Sequence, residues 1–166
     1  MNDQEKLFNF QLECIKKEMD LTERVIDRMD KITQTTKNWG IVVWLGVVAA
    51  FLRDPKLKYM IIFSGIVPLI FWFIDAWWLS LHRGAILRQK RIRQFINSKT
   101  FKESFDANEL PSFQLFDPYG KQYKGTSAYK KQTNIFRIMR YKELMFLFGS
   151  LLLFSIGLQV VVAVWG

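Results

Sequence analysis

Three long runs of apolar residues, set between densely charged segments, limit what this chain can fold into. The runs cover residues 39–52, 59–81 and 144–165. At about 1.5 Å per residue, a helix over the second or third run crosses the roughly 30 Å hydrocarbon core of a bilayer. The first run reaches only about 21 Å. We expect its helix to extend back through residues 35–38, with the Lys37 ammonium group reaching the interface.

This pattern predicts an all-α integral membrane protein. It comprises a long amphipathic N-terminal helix, a two-span helical hairpin with cytoplasmic helical extensions, and a third, C-terminal span. The predicted divisions are 1–38 for the cytoplasmic amphipathic helix, 39–81 for the transmembrane hairpin (39–52 and 59–81), 82–143 for the cytoplasmic basic helix and aromatic loop, and 144–165 for the third span.

The positions of the basic residues predict the orientation of these spans. Segment 83–142 carries 14 Lys and Arg against 4 Asp and Glu. Because cytoplasmic segments are rich in Lys and Arg, this segment and the N-terminus are predicted to lie inside, and the link at 53–58 and residues 165–166 outside. We interpret the net charge of +9 in the same way. It reflects the orientation of the spans and attraction to anionic lipid, and we consider nucleic-acid binding the weaker interpretation.

Apolar residues recur at heptad spacing along the N-terminal segment. Steps of three and four residues connect Phe8, Leu12, Ile15, Met19, Ile26 and Met29, with Thr22 in the remaining position. Such a seam packs against another helix, in this chain or in another one. Residues 5–37 are predicted to form one helix that runs into the first span. The second span is predicted to continue through Gly84 as a helix to about Asn97.

The two helical extensions are predicted to pair. If the chain folds back at residues 53–58, antiparallel partners have residue numbers that sum to about 111. The rule places Glu18 opposite Arg93, Asp20 opposite Arg91, Glu23 opposite Arg88, and Asp27 and Asp30 near Arg83 and His82. Each exposed ion pair contributes only about 0.2–1 kcal/mol, so these pairs would set the register more than the stability.

Asp75 is a carboxylate inside the second apolar run. The same pairing rule places it opposite Thr36 and Lys37, about 12 Å from the inner boundary at Arg83. Acidic groups within spans usually face a bundle interior and have a partner there. Two roles stay open. Asp75 pins the hairpin by pairing with Lys37 or a threonine hydroxyl, or several copies of Asp75 form a cation-attracting ring in a shared lumen.

Two more features of the spans bear on their packing. Pro68 is expected to kink the second span where a neighbouring helix can cover the carbonyl group that proline leaves without a partner. In the third span Gln159 can hydrogen-bond across helices, and it is the second candidate for lining a path through the membrane.

The segment between the second and third spans is basic and aromatic. Its basic face is predicted from Arg83, Arg88, Lys90, Arg91 and Arg93. These residues either set the orientation of the spans and pair with the N-terminal acidic residues, or they bind phosphate groups of lipid, nucleotide or nucleic acid. Residues 98–131 are predicted to form an ordered loop with one or two short elements and a type I turn at 117–120. Residues 132–142 form a basic amphipathic approach that suits the inner leaflet surface.

The chain offers no pattern for catalysis. With one His and one Cys it has no zinc-ligand cluster, and no Gly-rich phosphate loop or hydrolase motif is present. We therefore expect no metal, no cofactor and no enzymatic activity.

The hairpin resembles that of the SLATT-like group of small bacterial membrane proteins. The stretches ERVIDRMDKITQTTKNWGIVVWLGVVAAFL and PLIFWFIDAWWLSLHRGAILRQKRI carry the likeness, which covers roughly residues 10–97. The resemblance implies a homo-oligomeric pore-forming or membrane-perturbing effector, an ion channel in effect, acting in antiviral (anti-phage) defence at the bacterial inner membrane. It also implies a cytoplasmic sensor protein or a nucleotide signal as partner. Among functional residues, Asp75 alone is a candidate to carry over.

A second function follows from the residues without the resemblance. The chain would be a non-catalytic membrane anchor or scaffold that holds a soluble partner protein through the heptad seam and the aromatic loop. Replacement of Asp75 by Asn separates the two hypotheses, because a pore would change its conductance and an anchor only its folding.

Overall fold

The computed structural model describes residues 3–53, 60–108, 110, 115 and 117–165. Over these residues it contains helices and no strand. The helices are α1 (Asp3–Arg53), α2 (Met60–Ile96), α3 (Lys99–Ala107), α4 (Ser127–Thr133), α5 (Ile135–Met139) and α6 (Lys142–Trp165), with a 3-10 turn at Lys121–Tyr123. Three of them, α1, α2 and α6, are long and apolar enough to cross a membrane. The prediction of an all-α fold with three helices of membrane-spanning length and composition is therefore confirmed over the described residues.

Both long helices run on past the apolar runs. α1 continues from Asp3 to Arg53 without a break, and α2 passes through Gly84 and ends at Ile96. The predicted continuity at 5–37 and across Gly84 is thus confirmed. The link between α1 and α2, with Lys56, Lys58 and the start of the second run at Tyr59, lies outside the described residues.

The chain divides into two compact units. The first unit consists of Met1–Asp30 and Leu81–Thr133, and the second of Lys31–Ser80 and Asn134–Gly166. Residues 31–38 and 134–143 therefore group with the apolar helices, whereas the pattern of hydropathy alone assigned them to the polar segments. The boundary at 80/81 lies one residue from the predicted end of the second span.

The first unit is built on the heptad seam of α1. Phe8, Ile15 and Met29 are buried, and Leu12, Met19 and Ile26 are partly buried. The seam is covered from within the same chain, since Phe8 contacts the ring of Phe105 in α3 edge-on at 5.2 Å. A further ring contact, Phe101 with Phe95 at 5.4 Å, joins α3 to α2.

The junction between α2 and α3 is a tight capped turn. The Ser98 side chain accepts a hydrogen bond from the Phe101 main-chain N–H at 3.1 Å, so it caps the first turn of α3. Asn108 ends this helix in the left-handed conformation, with φ at 48°. Residues 98–131 thus hold α3, the 3-10 turn and most of α4, which is more regular structure than the pattern of helix breakers predicted.

The second unit has a small apolar core where α2, α5 and α6 meet. Ala76, Ile138, Leu144 and Phe148 are buried together. Trp72 stacks on Phe148 at 6.4 Å between ring centroids. Its indole N–H donates to the Met139 carbonyl oxygen at 3.0 Å, so α5 is held against α2.

The exterior of the second unit is apolar. Its exposed large side chains include Val42, Leu45, Ile62, Phe63, Ile66, Leu69, Ile70, Phe73, Phe146, Leu153, Phe154, Val160, Val161 and Val164. A soluble protein rarely exposes a contiguous apolar surface of this extent. Lipid is the solvent in which such a surface is stable, because side chains of this kind face the acyl chains of a bilayer.

A cluster of buried polar groups lies beside Pro68 in the second unit. Proline lacks the main-chain N–H that would bond the carbonyl of residue 64, four positions earlier. The Ser155 hydroxyl of α6 lies 2.8 Å from that Ser64 oxygen and also 2.8 Å from the Leu151 carbonyl oxygen of its own helix, so its one proton is shared between the two acceptors. The Trp44 indole of α1 donates in turn to the Ser155 oxygen at 2.9 Å. The prediction that a neighbouring helix covers the carbonyl freed by Pro68 is confirmed.

We expect Ser155→Ala to destabilise the fold because the Ser64 carbonyl loses this donor in an apolar surrounding. The loss should be about 1–3 kcal/mol in the free energy of unfolding. In a Pro68→Ala background the main-chain N–H of residue 68 can bond the same carbonyl. Ser155→Ala should then cost less, by at least about 0.5 kcal/mol.

Denaturant or thermal unfolding of the four proteins in one detergent measures this difference. Ser150→Ala is the matched control, since Ser150 lies on the exposed side of α6 and bonds only within its own helix. An equal loss from Ser155→Ala in both backgrounds would show that Pro68 and Ser155 are not coupled.

Candidate functional site: buried charges on the two long helices

The charged pair in the second unit joins α1 to α2. The Lys37 ammonium nitrogen lies 3.4 Å from an Asp75 carboxylate oxygen. The Asp75 side chain is completely buried and that of Lys37 is 21% exposed. This contact is among those predicted for Asp75, and the structure brings the two residues together. At 3.4 Å the pair is an ion contact, longer than the 2.7–2.9 Å of a charge-assisted hydrogen bond.

Asp75 is otherwise poorly compensated. Neither of its carboxylate oxygens accepts a hydrogen bond from the residues that the structure describes. A buried carboxylate usually needs both a countercharge and hydrogen bonds to offset its lost hydration. Lys37 is the only countercharge within 4 Å in the described part of the chain, so the pairing of α1 with α2 at this level depends on one cation.

The charged cluster in the first unit centres on Glu18 and Arg88, both completely buried. The Arg88 Nε and Nη2 atoms lie 3.0 and 2.9 Å from the Glu18 Oε1 oxygen. The same oxygen accepts a hydrogen bond from the Asp117 main-chain N–H at 3.1 Å. The third guanidinium nitrogen, Nη1, donates to the Tyr123 hydroxyl at 2.9 Å. One buried carboxylate thus joins α1, α2 and the loop that follows α3.

Two of the predicted pairings are wrong at this point. Glu18 contacts Arg88 and not Arg93, and Glu23 contacts Gln89, at 3.5 Å, and not Arg88. Arg88 therefore does not belong to the exposed basic face. The reason is side-chain length, because the extended side chains of Glu18 and Arg88 together bridge an axial offset of about 9 Å. A rule based on opposed Cα positions misses such a diagonal contact.

The predicted register is otherwise close. The pairs Lys37–Asp75, Asp30–His82 and Glu23–Gln89 have residue numbers that sum to 112, against the predicted value of about 111. The Asp30 carboxylate lies 3.3 Å from the His82 Nε2 atom, as the pairing rule placed it. Helices α1 and α2 are therefore antiparallel partners within each unit.

The loop at 117–123 is held in its conformation by hydrogen bonds between its own residues. The Gly120 N–H donates to the Asp117 carbonyl at 2.9 Å, which closes the predicted turn at 117–120. The Asp117 carboxylate accepts hydrogen bonds from the main-chain N–H groups of Lys121 and Gln122, both at 2.9 Å. Gly120 has φ at 65°, a conformation that glycine adopts without strain.

Gly84 is the point of contact on α2. A Cβ atom at Gly84 would lie 2.6 Å from the Tyr119 carbonyl oxygen, and one at Gly120 would lie 2.7 Å from the Gly84 carbonyl oxygen. Only glycine permits backbones to approach so closely. Tyr129 packs beside the same glycine. Burial raises the pKa of the Tyr129 hydroxyl, and the negative charge of Asp117 raises it further.

The remaining candidate residues lie apart from these clusters. Lys90, Arg91 and Arg93 are exposed, as predicted for a basic face, and Arg83 is partly buried. The Arg91 guanidinium carbon lies 5.8 Å from the centre of the Tyr123 ring. Gln159 donates to the Ile61 carbonyl oxygen at 3.2 Å, which is a hydrogen bond across helices.

Gln159 and Asp75 are not neighbours. Ile61, the partner of Gln159, precedes Asp75 by fourteen residues in α2, or about 21 Å along the helix axis. The two candidates for lining a path therefore lie near opposite ends of the apolar helices.

Sequence reasoning missed Tyr123 and Gly84 as members of a site, and it paired Glu18 with the wrong arginine. An isolated glycine inside a helical pattern is itself a signal, since a close backbone approach is a common reason for it. The burial of Glu18 gave no such signal, because an acid next to a heptad seam is usually exposed. Among the described residues, no group of three His, Cys, Asp or Glu side chains is placed to hold a metal ion.

Comparison with known proteins adds no relative: no protein-family model, no curated protein and no solved structure matches this chain.

We expect loss of the Lys37 charge to be more damaging than loss of the Asp75 charge. Lys37→Gln leaves a completely buried carboxylate with no cation, which should cost about 3–5 kcal/mol. Asp75→Asn leaves an ammonium group that is partly exposed and can extend to the interface, so it should cost less. The double variant should recover part of the loss. Unfolding in one detergent compares the three, and equal losses from both single variants would contradict the asymmetry.

Gly84→Ala should release the 117–123 loop from α2, because the added methyl group occupies the position of the Tyr119 carbonyl. Hydrogen exchange at the main-chain N–H groups of residues 120–124 should accelerate by about tenfold or more, as expected for a local opening equilibrium. Gly46→Ala is the matched control, since a Cβ there has nothing within 4 Å. Unchanged exchange in Gly84→Ala would show that the loop does not depend on this contact.

Proposed function

We propose that this chain is a non-catalytic membrane anchor whose first unit holds a soluble partner protein at the membrane. The observation that carries the proposal is the enclosure of Asp75. Its carboxylate pairs with Lys37 inside one chain and has no exposed surface. An acidic ring in a shared lumen needs the opposite arrangement, with the carboxylate open to water.

The other polar groups of the second unit support the same proposal. Ser64 and Ser155 are buried, and the Ser155 hydroxyl bonds to a neighbouring helix. The side chains that remain on the outside of the three long apolar segments are predominantly hydrocarbon. A unit that buries these hydroxyl groups against its own helices and presents mainly hydrocarbon along its apolar segments is suited to being a passive membrane domain.

A surface for the partner is available on α1 in the first unit. Leu7, Phe10 and Leu21 are 58%, 62% and 38% exposed. Leu7 and Phe10 are three residues apart and form an exposed apolar patch, and Leu21 lies about 16 Å further along the same side of the helix, beyond Cys14, which is buried. They lie outside the long apolar runs, so the bilayer does not account for their exposure. An exposed apolar helix face of this kind is typical of a protein-binding surface.

The second candidate is a pore-forming effector of the SLATT-like type, acting as a homo-oligomer in anti-phage defence. The likeness of residues 10–97 to that hairpin supports it. The observation that favours it is the poor compensation of Asp75, which has one cation at 3.4 Å and no hydrogen bond from a described residue. A change in the register of α1 against α2 would release this carboxylate into a lumen between copies.

Conductance and mass, measured on the same sample, test the two candidates. The full chain is purified in nanodiscs for its mass and reconstituted in planar bilayers for current recording, together with Asp75→Asn. The anchor predicts no current from either protein. A ring of defined size, with currents that Asp75→Asn abolishes or changes in selectivity, would overturn the anchor and support the effector.

The partner surface is tested separately by photocrosslinking in the host cell. A photoreactive amino acid at position 10 or 21 should give a single adduct of defined mass. Position 16 is the control, because Lys16 is exposed on the opposite side of α1. Adducts of equal yield at all three positions, or at none of them, would contradict a partner on this face.

A further inference from the structure

We infer that residues 135–142 form a binding site for the phosphate group of an anionic phospholipid. The site combines the exposed basic side chains of Arg137, Arg140 and Lys142 with the ring of Phe136, which is 75% exposed. These residues belong to the second unit, at the start of α6. The inference does not depend on whether the chain is an anchor or a pore.

The backbone of this segment is held in place from both ends. The Asn134 side chain accepts a hydrogen bond from the Arg137 N–H at 3.0 Å and caps α5. The Tyr141 N–H donates to the Ile138 carbonyl at 2.8 Å, and the Met145 N–H donates to the Tyr141 carbonyl at 2.9 Å. The backbone of the turn between α5 and α6 is therefore fixed by hydrogen bonds, and its basic side chains extend from a defined backbone conformation.

One side of α5 is anchored to the core, which determines what the other side faces. Ile138 is completely buried against Ala76 and its neighbours in the core. Phe136 and Arg140 are four residues apart, so they lie on one side of the helix, roughly opposite Ile138. The aromatic ring and the guanidinium group are thus directed together away from the protein.

The charge of the site selects an anionic occupant. Arg137, Arg140 and Lys142 form no ion pair with a residue that the structure describes, and the nearest acid along the chain is Glu143. Arginine matches the oxygens of a phosphate with two parallel N–H donors, and lysine adds a point charge. Three uncompensated cations in six residues therefore favour a phosphate group over a neutral headgroup.

The position of the site selects a lipid over a soluble phosphate. Lys142 is the first residue of α6, one of the three helices long and apolar enough to cross a membrane. Basic groups at the end of such a helix lie at the level of the headgroups. A soluble anion would leave the Phe136 ring in water, whereas a phospholipid covers it with the glycerol and upper acyl region.

Lipid titration of the full chain, followed by native mass spectrometry, tests the site. Wild-type protein in a neutral detergent should retain phosphatidylglycerol and bind phosphatidylcholine at least about tenfold more weakly. The variant R137Q/R140Q/K142Q should lose phosphatidylglycerol affinity by about tenfold or more, because each basic group near a membrane surface contributes about fivefold. The control K16Q/K17Q/R24Q removes the same charge from exposed positions on α1 and should bind like the wild type.

Three results would overturn the inference. The first is an equal loss in both triple variants, which would reflect net charge and no local site. The second is equal retention of the two lipids by the wild-type protein. The third is full displacement of phosphatidylglycerol by millimolar glycerol phosphate, which would assign the site to soluble phosphates. Phe136→Ala should weaken phosphatidylglycerol binding and leave the effect of glycerol phosphate unchanged.

Discussion

The register of α1 against α2 is the constraint on which the rest of this structure depends. Each unit contains a charge that is removed from water and paired with an opposite charge across this helix pair: Asp75 with Lys37, and Glu18 with Arg88. A shift of one turn, about 5.4 Å, would separate Asp75 from Lys37, which lie at the same level, and would change the offset of about 9 Å that the Glu18 and Arg88 side chains bridge. A buried charge without its partner costs far more than the pair contributes, so these contacts act mainly by excluding other registers.

The two units use this register for different ends. In the first unit it positions the Glu18 carboxylate to collect donors from α2 and from the loop, so the loop is held by charge as well as by its contact with Gly84. In the second unit it brings Gly40 against Phe71 and Phe148, where a Cβ atom would lie only 3.2–3.4 Å from their rings. The buried ion pairs thus fix the register of α1 against α2, and the glycine residues allow neighbouring segments to approach closely.

Much of this could be predicted from local patterns. The lengths of the apolar runs predicted the three long helices, and the heptad spacing predicted the buried face of α1. The pairing rule placed Asp75 beside Lys37 and Asp30 beside His82. The rule failed for Glu18 and Arg88 because long side chains reach diagonally. The docking of the loop on Gly84 could not be predicted, because it brings together segments that are distant in sequence and does not depend on any local periodicity. The basic amphipathic character of residues 132–142 was predicted, but the sequence did not show that Ile138 is the residue that packs into the core and so fixes the direction of Phe136 and Arg140.

The hydrogen bond from Ser155 to the Ser64 carbonyl has a consequence for biogenesis. The hairpin of α1 and α2 is synthesised before α6, and until α6 arrives the carbonyl opposite Pro68 is without this donor in the hydrocarbon. The early intermediate therefore carries one exposed acceptor at a fixed depth, and the third helix brings the hydroxyl that matches it. The third helix therefore supplies a donor that the hairpin alone lacks, and its docking is the step at which the Ser64 carbonyl gains this hydrogen bond.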